Sequence, residues 1–154
     1  MKTIRVYLDT SVIGGCFDEE FKTASWQLIQ DLATGRLQGV LSDLLLQELS
    51  GAPPEVADIV HSKTDIMWEW IERTEEVLAL AQAYMDAGIV SERFRSDCEH
   101  VALASVSEVD LLVSWNFKHI VRYDKIRMFN AVNLAQGYRT LDIRSPLEVI
   151  DYDE

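Results

Sequence analysis

The alternation of apolar and polar residues along the chain predicts short strands separated by helices. Over residues 4–8, apolar side chains alternate with polar or amphipathic ones, which is typical of a strand. Short runs at residues 39–41 and 111–113 predict two further strands, and residues 141–144 are predicted to form a last short strand. The run at 111–113 is short and sharply bounded, as expected of a buried strand in a parallel sheet.

Helices are predicted between these strands. Residues 21–34 carry an apolar stripe at helical spacing that begins at Trp26. A shorter helix follows a cap at Ser42 or Asp43. Residues 55–86 are helical in pattern, in two or three pieces. Their clearest apolar stripe is formed by Val77, Leu80, Ala81 and Tyr84.

The last third of the chain predicts two more helices. Ser96 and Glu99 match the Ser-x-x-Glu capping box, so a helix is expected to start there and to run to about Ser107. Another helix is expected over residues 119–136, and Pro146 is expected to open a final helical turn.

Strands and helices in this order predict an α/β protein. The expected architecture is a three-layer α/β/α sandwich with a mostly parallel central sheet. No repeat, low-complexity tract or linker divides the sequence, so residues 1–154 are predicted to form one domain. In such folds the functional crevice lies beyond the carboxyl ends of the strands.

The composition is that of an ordinary folded protein. With 154 residues, of which 48% are hydrophobic, the chain is long enough to bury a core. No apolar run approaches the roughly 18 residues of a membrane span, and the N-terminus lacks the apolar region of a signal peptide. Cys16 and Cys98 lack the spacing of a zinc site or a disulfide framework, which predicts buried free thiols. These features predict a soluble, cytoplasmic protein.

The net charge of −12 argues against broad, salt-driven binding to nucleic acid, which draws on Lys and Arg. A local basic segment at residues 118–127 is a candidate for holding a polyanion, although a solvated helix face explains it as well. Alternatively, the acidic surface is suited to attract a basic partner protein.

Two polar side chains directly follow predicted strands. Asp9 comes after the first strand, and Asn116 follows the strand that ends at Ser114. Each has an ordinary structural explanation, because Asp9 is well placed to cap the next helix and Asn116 to form a turn. Both alternatives stay open on sequence alone.

Two helical carboxylates are predicted to lie toward the core. Glu48 comes four residues after Leu44 and three after Leu45, which places it on or beside the apolar face of its helix. The alternative for Glu48 is an ion pair with an Arg. Asp97 shares a helix face with Val101, although an acid in the first turn also interacts favourably with the helix dipole.

These three carboxylates and one amide are expected at the same end of the sheet. Converging carboxylates repel one another and raise their pKa values unless a cation neutralises them. Oxygen ligands without His or Cys favour Mg²⁺ or Mn²⁺. Such an ion can activate water and stabilise the charge of a phosphodiester during displacement.

The same residues resemble the signature of PIN domains over nearly the whole chain. The matching motifs are Asp9-Thr10-Ser11, Glu48, the segment D-C-E-H-V-A-L-A that begins at Asp97, and the segment S-W-N-F-K-H-I that begins at Ser114. PIN domains of this size are commonly VapC-like toxins. The resemblance therefore implies a PIN-like fold and an Mg²⁺- or Mn²⁺-dependent ribonuclease that hydrolyses RNA phosphodiester bonds. It also implies a homodimer and restraint by an antitoxin protein.

By this resemblance, Asp9, Glu48 and Asp97 match the family's metal-site acids, and Ser11 matches a hydroxyl near the metal. Asn116 stands where many members have a fourth Asp. An amide oxygen can still be a ligand, but it brings no negative charge, which puts a second metal ion in doubt. Asp9, Glu48, Asp97 and Asn116 are thus the candidate catalytic and metal-binding residues.

Three other polar residues are set aside. Asp110 begins the strand that Asn116 follows, which predicts a position near the opposite edge of the sheet. His100 and His119 are expected to be surface or satisfied residues rather than general bases. The apolar residues between 66 and 84, including Met67, suit a dimer interface or simply pack on the core.

Two other functions compete with the ribonuclease hypothesis. One is a PIN-like protein- or RNA-interaction module that has lost catalysis, which Asn116 and the acidic surface motivate. The other is an aspartate-nucleophile phosphatase. Such an enzyme usually carries a second acid two residues after the first, and here that position is Ser11.

Overall fold

The computed structural model describes residues 2–62 and 65–152. Strands and helices in this part of the chain follow one another largely as the apolar pattern predicts, with Glu69–Ile71 as an additional strand. The strands are β1 (Ile4–Leu8), β2 (Leu37–Ser42), β3 (Glu69–Ile71), β4 (Leu111–Val113) and β5 (Asp142–Arg144). The helices are α1 (Thr10–Gly15), α2 (Lys22–Ala33), α3 (Asp43–Leu49), α4 (Pro54–Ser62), α5 (Glu75–Asp86), α6 (Arg95–Val106) and α7 (Tyr123–Ala135).

The five strands form one sheet in the order β3-β2-β1-β4-β5, and all four pairings are parallel. β1 is central, with Leu8 opposite Val113 of β4 and Tyr7 opposite Val40 of β2. Because the strands are parallel, the residues that follow β1, β2 and β4 all emerge at one edge of the sheet. The predicted α/β class with a parallel central sheet is confirmed.

Two apolar clusters cover the two faces of the sheet. Val6 and Leu8 of β1 belong to one cluster, which α1, α2 and α4 complete, whereas Tyr7 belongs to the other, which α5, α6 and α7 complete. Successive strand residues point to opposite faces, so β1 contributes to both cores. Because both faces of the sheet are covered, Tyr7 is fully buried, although it occupies a polar position in the alternating pattern of β1.

The edge strand β3 lies within the stretch of residues 55–86 that the apolar pattern predicts to be helical. With three residues, of which Trp70 is exposed, β3 is too short to show alternation. Its pairing with β2 and the two-pronged ion pair of Arg5 with Glu69 hold it in the sheet. Residues 63 and 64 of the predicted helical stretch lie outside the described residues.

Three other sequence predictions are corrected. The capping box does not form, because α6 begins at Arg95, directly after a 3₁₀ turn, and Ser96 therefore lies inside its first turn. The last long helix begins at Tyr123 rather than at residue 119, since a separate turn follows β4. Trp26 is 38% exposed, and Leu28 takes its predicted place in the buried stripe of α2.

Two expectations from composition can be compared with the described residues. In residues 2–62 and 65–152, no helix has the length and apolar character needed to cross a membrane. Cys16 and Cys98 are both buried thiols, as their spacing predicts. Burial raises the pKa of the Cys98 thiol to about 12, so the thiolate form is strongly disfavoured.

Close packing at Gly15 joins α1 to the segment that follows β4. A Cβ atom at this position would lie 2.5 Å from Ser25 Oγ and 2.7 Å from Trp115 Nε1. Trp115 Nε1 itself donates a hydrogen bond of 2.8 Å to Ser25 Oγ. The neighbouring Gly14 has no heavy atom within 4 Å of an equivalent Cβ. Gly15 therefore sets how closely α1 approaches Trp115.

We predict different effects for alanine at these two adjacent glycines. Gly15→Ala forces apart the Ser25 and Trp115 pair and should lower the free energy of unfolding by about 1–3 kcal/mol. Gly14→Ala, with open space and a helical backbone, should leave it unchanged or raise it by about 0.5–1 kcal/mol. Urea unfolding of both variants is the measurement, and equal effects would show that the packing at Gly15 is not limiting.

Candidate active site

The candidate site lies at the edge where β1 and β4 end. Asp9 and Ser114 follow the paired residues Leu8 and Val113, and the Asp9 amide donates to the Val113 carbonyl at 3.4 Å. The parallel pairing therefore brings the two strand ends side by side. α3 and α6 supply the remaining candidate acids from the helices that pack beside this edge.

Asp9 is buried, with 4% of its surface exposed, and its side chain does not cap α1. Its carboxylate accepts a hydrogen bond of 2.6 Å from Ser11 Oγ and one of 2.5 Å from Ser114 Oγ. These hydroxyls in turn accept the backbone N–H groups of Trp115 and Asn116, each at 2.9 Å. Asp9 thus connects the segments that follow β1 and β4, and the helix-cap alternative is not what the structure shows.

The surroundings of Asp9 disfavour its charge. Burial raises the pKa of Asp9, and the negative charge of Asp97 raises it further. His100 and the two serine hydroxyls act in the opposite direction but do not cancel the effect of burial. A buried carboxylate whose charge is disfavoured in this way is stabilised by a proton or by a cation.

Glu48, on α3, is held by a histidine rather than by the arginine that the sequence leaves open. Its Oε1 atom accepts a hydrogen bond of 2.7 Å from Thr10 Oγ1 and lies 2.6 Å from His100 Nε2. Burial raises the pKa of Glu48, but these two partners and the charge of Arg73 outweigh it, so the pKa is lowered overall. Glu48 therefore stays ionised more readily than an ordinary Glu.

His100 belongs to a buried chain of hydrogen bonds that the sequence analysis missed. Its Nδ1 atom lies 2.5 Å from the Tyr7 hydroxyl, which lies 2.9 Å from Ser42 Oγ. A Glu48 carboxylate only accepts, so Nε2 of His100 carries the proton that it shares with Glu48. In the neutral imidazole, Nδ1 then accepts from Tyr7, whose hydroxyl keeps its proton because burial raises its pKa. His100 is thus a satisfied residue, as expected, and it orients Glu48.

A weak signal for this chain is present in the sequence. His100 comes three residues after Asp97, so both side chains lie on neighbouring parts of one face of α6. Tyr7 carries no comparable signal. At a polar position of an alternating strand, the hydroxyl of a tyrosine is usually expected to point toward solvent.

Asp97 and Asn116 are linked through His119. Asp97 Oδ2 lies 2.8 Å from His119 Nδ1, and the His119 backbone N–H donates to Asn116 Oδ1 at 2.9 Å. Asn116 therefore has the turn-forming role that its sequence alternative describes. The side-chain oxygen that would occupy the position of a fourth acid is engaged with the backbone.

The structure separates Asp110 from these residues. Asp110 precedes β4, and its Oδ2 atom accepts a hydrogen bond of 2.7 Å from the backbone N–H of Arg5 at the start of β1. It lies at the opposite edge of the sheet, as predicted. Asp110 is therefore a suitable reference acid for experiments on the candidate site.

The candidate acids have the oxygen ligands of a divalent-cation site. In their present positions, however, their side chains do not enclose a cation. Within residues 2–62 and 65–152, no group of three or more His, Cys, Asp or Glu is arranged to hold a metal ion. The negative charge of Asp97 does act on Asp9, and both described hydrogen bonds to Glu48 fall on Oε1. These carboxylates fit Mg²⁺ or Mn²⁺ in ligand type, and the predicted metal site stays a prediction.

Comparison with known proteins finds a similarity in structure. No protein-family model and no curated protein matches the sequence. The structure matches a chain in the crystal structure of VapBC2 from Rickettsia felis bound to a DNA fragment from their promoter, with a TM-score of 0.56 and 14% sequence identity. The match covers 92% of this chain and 98% of that chain. At this identity the likeness shows the fold, so the chain has the PIN-like fold that its motifs predict.

We predict that Asp9→Asn stabilises the metal-free protein at neutral pH. The folded-state pKa of Asp9 is raised, so the folded protein binds this proton more readily than the unfolded chain does. The ionised carboxylate therefore costs stability above the folded-state pKa, and the cost disappears as the pH falls below the unfolded value. Asn avoids that cost and can still pair with both serine hydroxyls.

Urea unfolding in EDTA checks this prediction. The gain of Asp9→Asn over the parent should be larger at pH 7 than at pH 4, because it shrinks as the pH falls toward the unfolded-state pKa. Asp110→Asn, which changes an exposed carboxylate, should give no comparable gain. A less stable Asp9→Asn variant at pH 7 would mean that the serine hydrogen bonds outweigh the cost of burial.

Proposed function

We propose that this protein is a PIN-like endoribonuclease of one domain, which hydrolyses RNA phosphodiester bonds with Mg²⁺ or Mn²⁺. The observation that carries the proposal is the buried Asp9 carboxylate, whose pKa is raised by burial and by the charge of Asp97 at the junction of β1 and β4. A helix cap does not need this burial, and a cation offsets both causes of the shift.

Asp9, Asp97 and Glu48 are the residues that would hold the cation, as the resemblance to PIN domains implies. The ion would supply a Lewis acid that activates water and offsets the charge of the phosphodiester. Ser11 and Ser114 orient the Asp9 carboxylate through hydrogen bonds of 2.6 and 2.5 Å. His100 and Thr10 orient Glu48 through Oε1, which leaves its second oxygen for a ligand.

Asn116 plays a positioning role in this proposal. Its side chain holds the backbone of His119, and His119 contacts Asp97. Asn116 therefore fixes the turn that orients Asp97, and it adds no charge to the site. Three charged positions favour one bound ion over two.

We further propose that the protein is the toxin of a toxin–antitoxin pair and acts as a cytoplasmic homodimer. The matched structure is of VapBC2 bound to promoter DNA, and PIN domains of this size are commonly VapC-like toxins. A net charge of −12 is suited to attract a basic partner protein. For the dimer, Met67 and Trp70 are exposed apolar side chains on the segment that the sequence analysis singled out.

One second function is favoured by specific contacts. Asn116 Oδ1 is engaged with the backbone, Glu48 is tied to His100, and no three acids of the described residues enclose a metal ion. These contacts suit a PIN-like interaction module in which catalysis has been weakened or lost. The ribonuclease is preferred because an interaction module has no need for a buried Asp9 carboxylate whose charge is disfavoured by its surroundings.

A cleavage assay with matched acid variants tests the proposal. We predict that the protein degrades single-stranded RNA with Mg²⁺ or Mn²⁺ but not in EDTA. Asp9→Asn and Asp97→Asn should each lower the rate at least about 100-fold, because each removes a charged ligand. Asp110→Asn makes the same chemical change at the opposite edge of the sheet, and it should stay within about twofold of the parent.

The outcomes separate the two functions. Undiminished cleavage by Asp9→Asn, or cleavage that persists in EDTA, would contradict the proposed mechanism. A folded parent protein that cleaves no RNA with either metal would favour the interaction module.

A further inference from the structure

Most cations in the described part of this acidic chain are paired with carboxylates. The sequence has 14 Lys and Arg against 26 Asp and Glu. In the described part of the chain, ion pairs with carboxylates are formed by Arg5, Lys22, Arg36, Arg73, Arg95, Arg122, Arg139 and Arg144. A polyanionic substrate therefore has few cations to bind.

Two exposed cations converge on a single aromatic ring. The Arg93 guanidinium lies 5.1 Å and the Lys118 ammonium 5.7 Å from the centre of the Phe94 ring. Neither side chain has a carboxylate within ion-pair distance among residues 2–62 and 65–152. Of the other cations, Lys125 donates to the Ile89 carbonyl, and Arg127 lies over a different ring, that of Tyr123. The pair of Arg93 and Lys118 is termed the cation pair below.

The cation pair borders the candidate active site. The Phe94 ring packs against the His119 ring with a centroid distance of 4.2 Å, and His119 contacts Asp97 at 2.8 Å. Lys118 directly precedes His119, and Phe94 directly precedes α6, the helix that carries Asp97. Two cations without an acidic partner thus flank one of the proposed metal-binding acids.

We propose that the cation pair binds backbone phosphates of single-stranded RNA next to the bond that is cleaved. This inference rests on the proposed function and names the substrate contact of that same site. RNA approaching a site built from carboxylates is repelled, and a local pair of unneutralised cations offsets that repulsion. The Phe94 ring holds both cations at the rim of the site through cation–π contacts.

The proposal narrows the basic segment that the sequence analysis singled out at residues 118–127. Arg122 is paired with Asp124, and Lys125 holds the Ile89 carbonyl. Lys118 is the member of this segment that both lacks such a partner and adjoins the candidate site. Its companion, Arg93, lies outside the segment and becomes visible as a candidate only in the folded chain.

RNA binding measured without catalysis tests the cation pair. Fluorescence anisotropy of a labelled single-stranded RNA in EDTA compares the parent with the double variant Arg93→Ala/Lys118→Ala. The variant should bind at least about tenfold more weakly at low salt. The negative slope of log K against log salt should decrease in magnitude by about 1.4, since each single-strand phosphate contact contributes about 0.7.

The matched control is Lys2→Ala/Arg127→Ala, which removes the same charge from positions away from Phe94 and should bind within about twofold of the parent. Thermal unfolding shows whether each variant is folded. Three outcomes would overturn the inference. The parent protein does not bind RNA, the cation-pair variant binds RNA as tightly as the parent, or the control variant loses as much affinity as the cation-pair variant.

Cleavage with Mg²⁺, measured separately, distinguishes this inference from the proposed function. If the parent cleaves RNA but the cation pair does not affect binding, the inference fails and the proposed function stands. If binding depends on the cation pair but no RNA is cleaved, the proposed function fails and the binding site stands.

Discussion

The burial of the Asp9 carboxylate at the junction of β1 and β4 is the constraint on which the rest of the site depends. Two serine hydroxyls compensate this charge, and the same hydroxyls fix the backbone of the segment after β4. The arrangement requires a parallel pair of strands that end together, and it requires α1 to approach Trp115 closely at Gly15. The fold thus maintains a buried carboxylate at this position, whereas an exposed helix cap would not incur the free-energy cost of burying a charge.

Glu48 is held in place in a different way, by the buried chain of hydrogen bonds that runs through His100 and Tyr7 to Ser42. Ser42 also caps α3, since its hydroxyl accepts the Leu45 backbone N–H. The residue that starts the helix of Glu48 therefore also anchors the far end of the chain that orients its carboxylate. Stability and site geometry are coupled at this point, because loss of any buried member leaves an unpaired polar group.

The sequence predicts the parallel sheet and the positions of the site residues because periodicity and strand ends are local properties. It could not predict the contacts of those residues. Whether Asn116 offers its oxygen to a ligand or to a backbone N–H depends on where His119 lies after folding. The partner of Glu48 is 52 residues away, and β3 is too short to leave a pattern. Long-range pairing and short edge strands are the features that periodicity cannot show.

The central claim is that Asp9, Asp97 and Glu48 surround one divalent ion, and a crystal soaked in Mn²⁺ tests it most directly. The account predicts one anomalous peak at the carboxyl ends of β1 and β4, within about 2.5 Å of oxygens from Asp9 and Asp97. Glu48 is expected to contact the same ion through its second oxygen or to remain within hydrogen-bond reach of its ligands. No peak at this edge of the sheet, at Mn²⁺ concentrations that occupy other carboxylate sites, would contradict the claim.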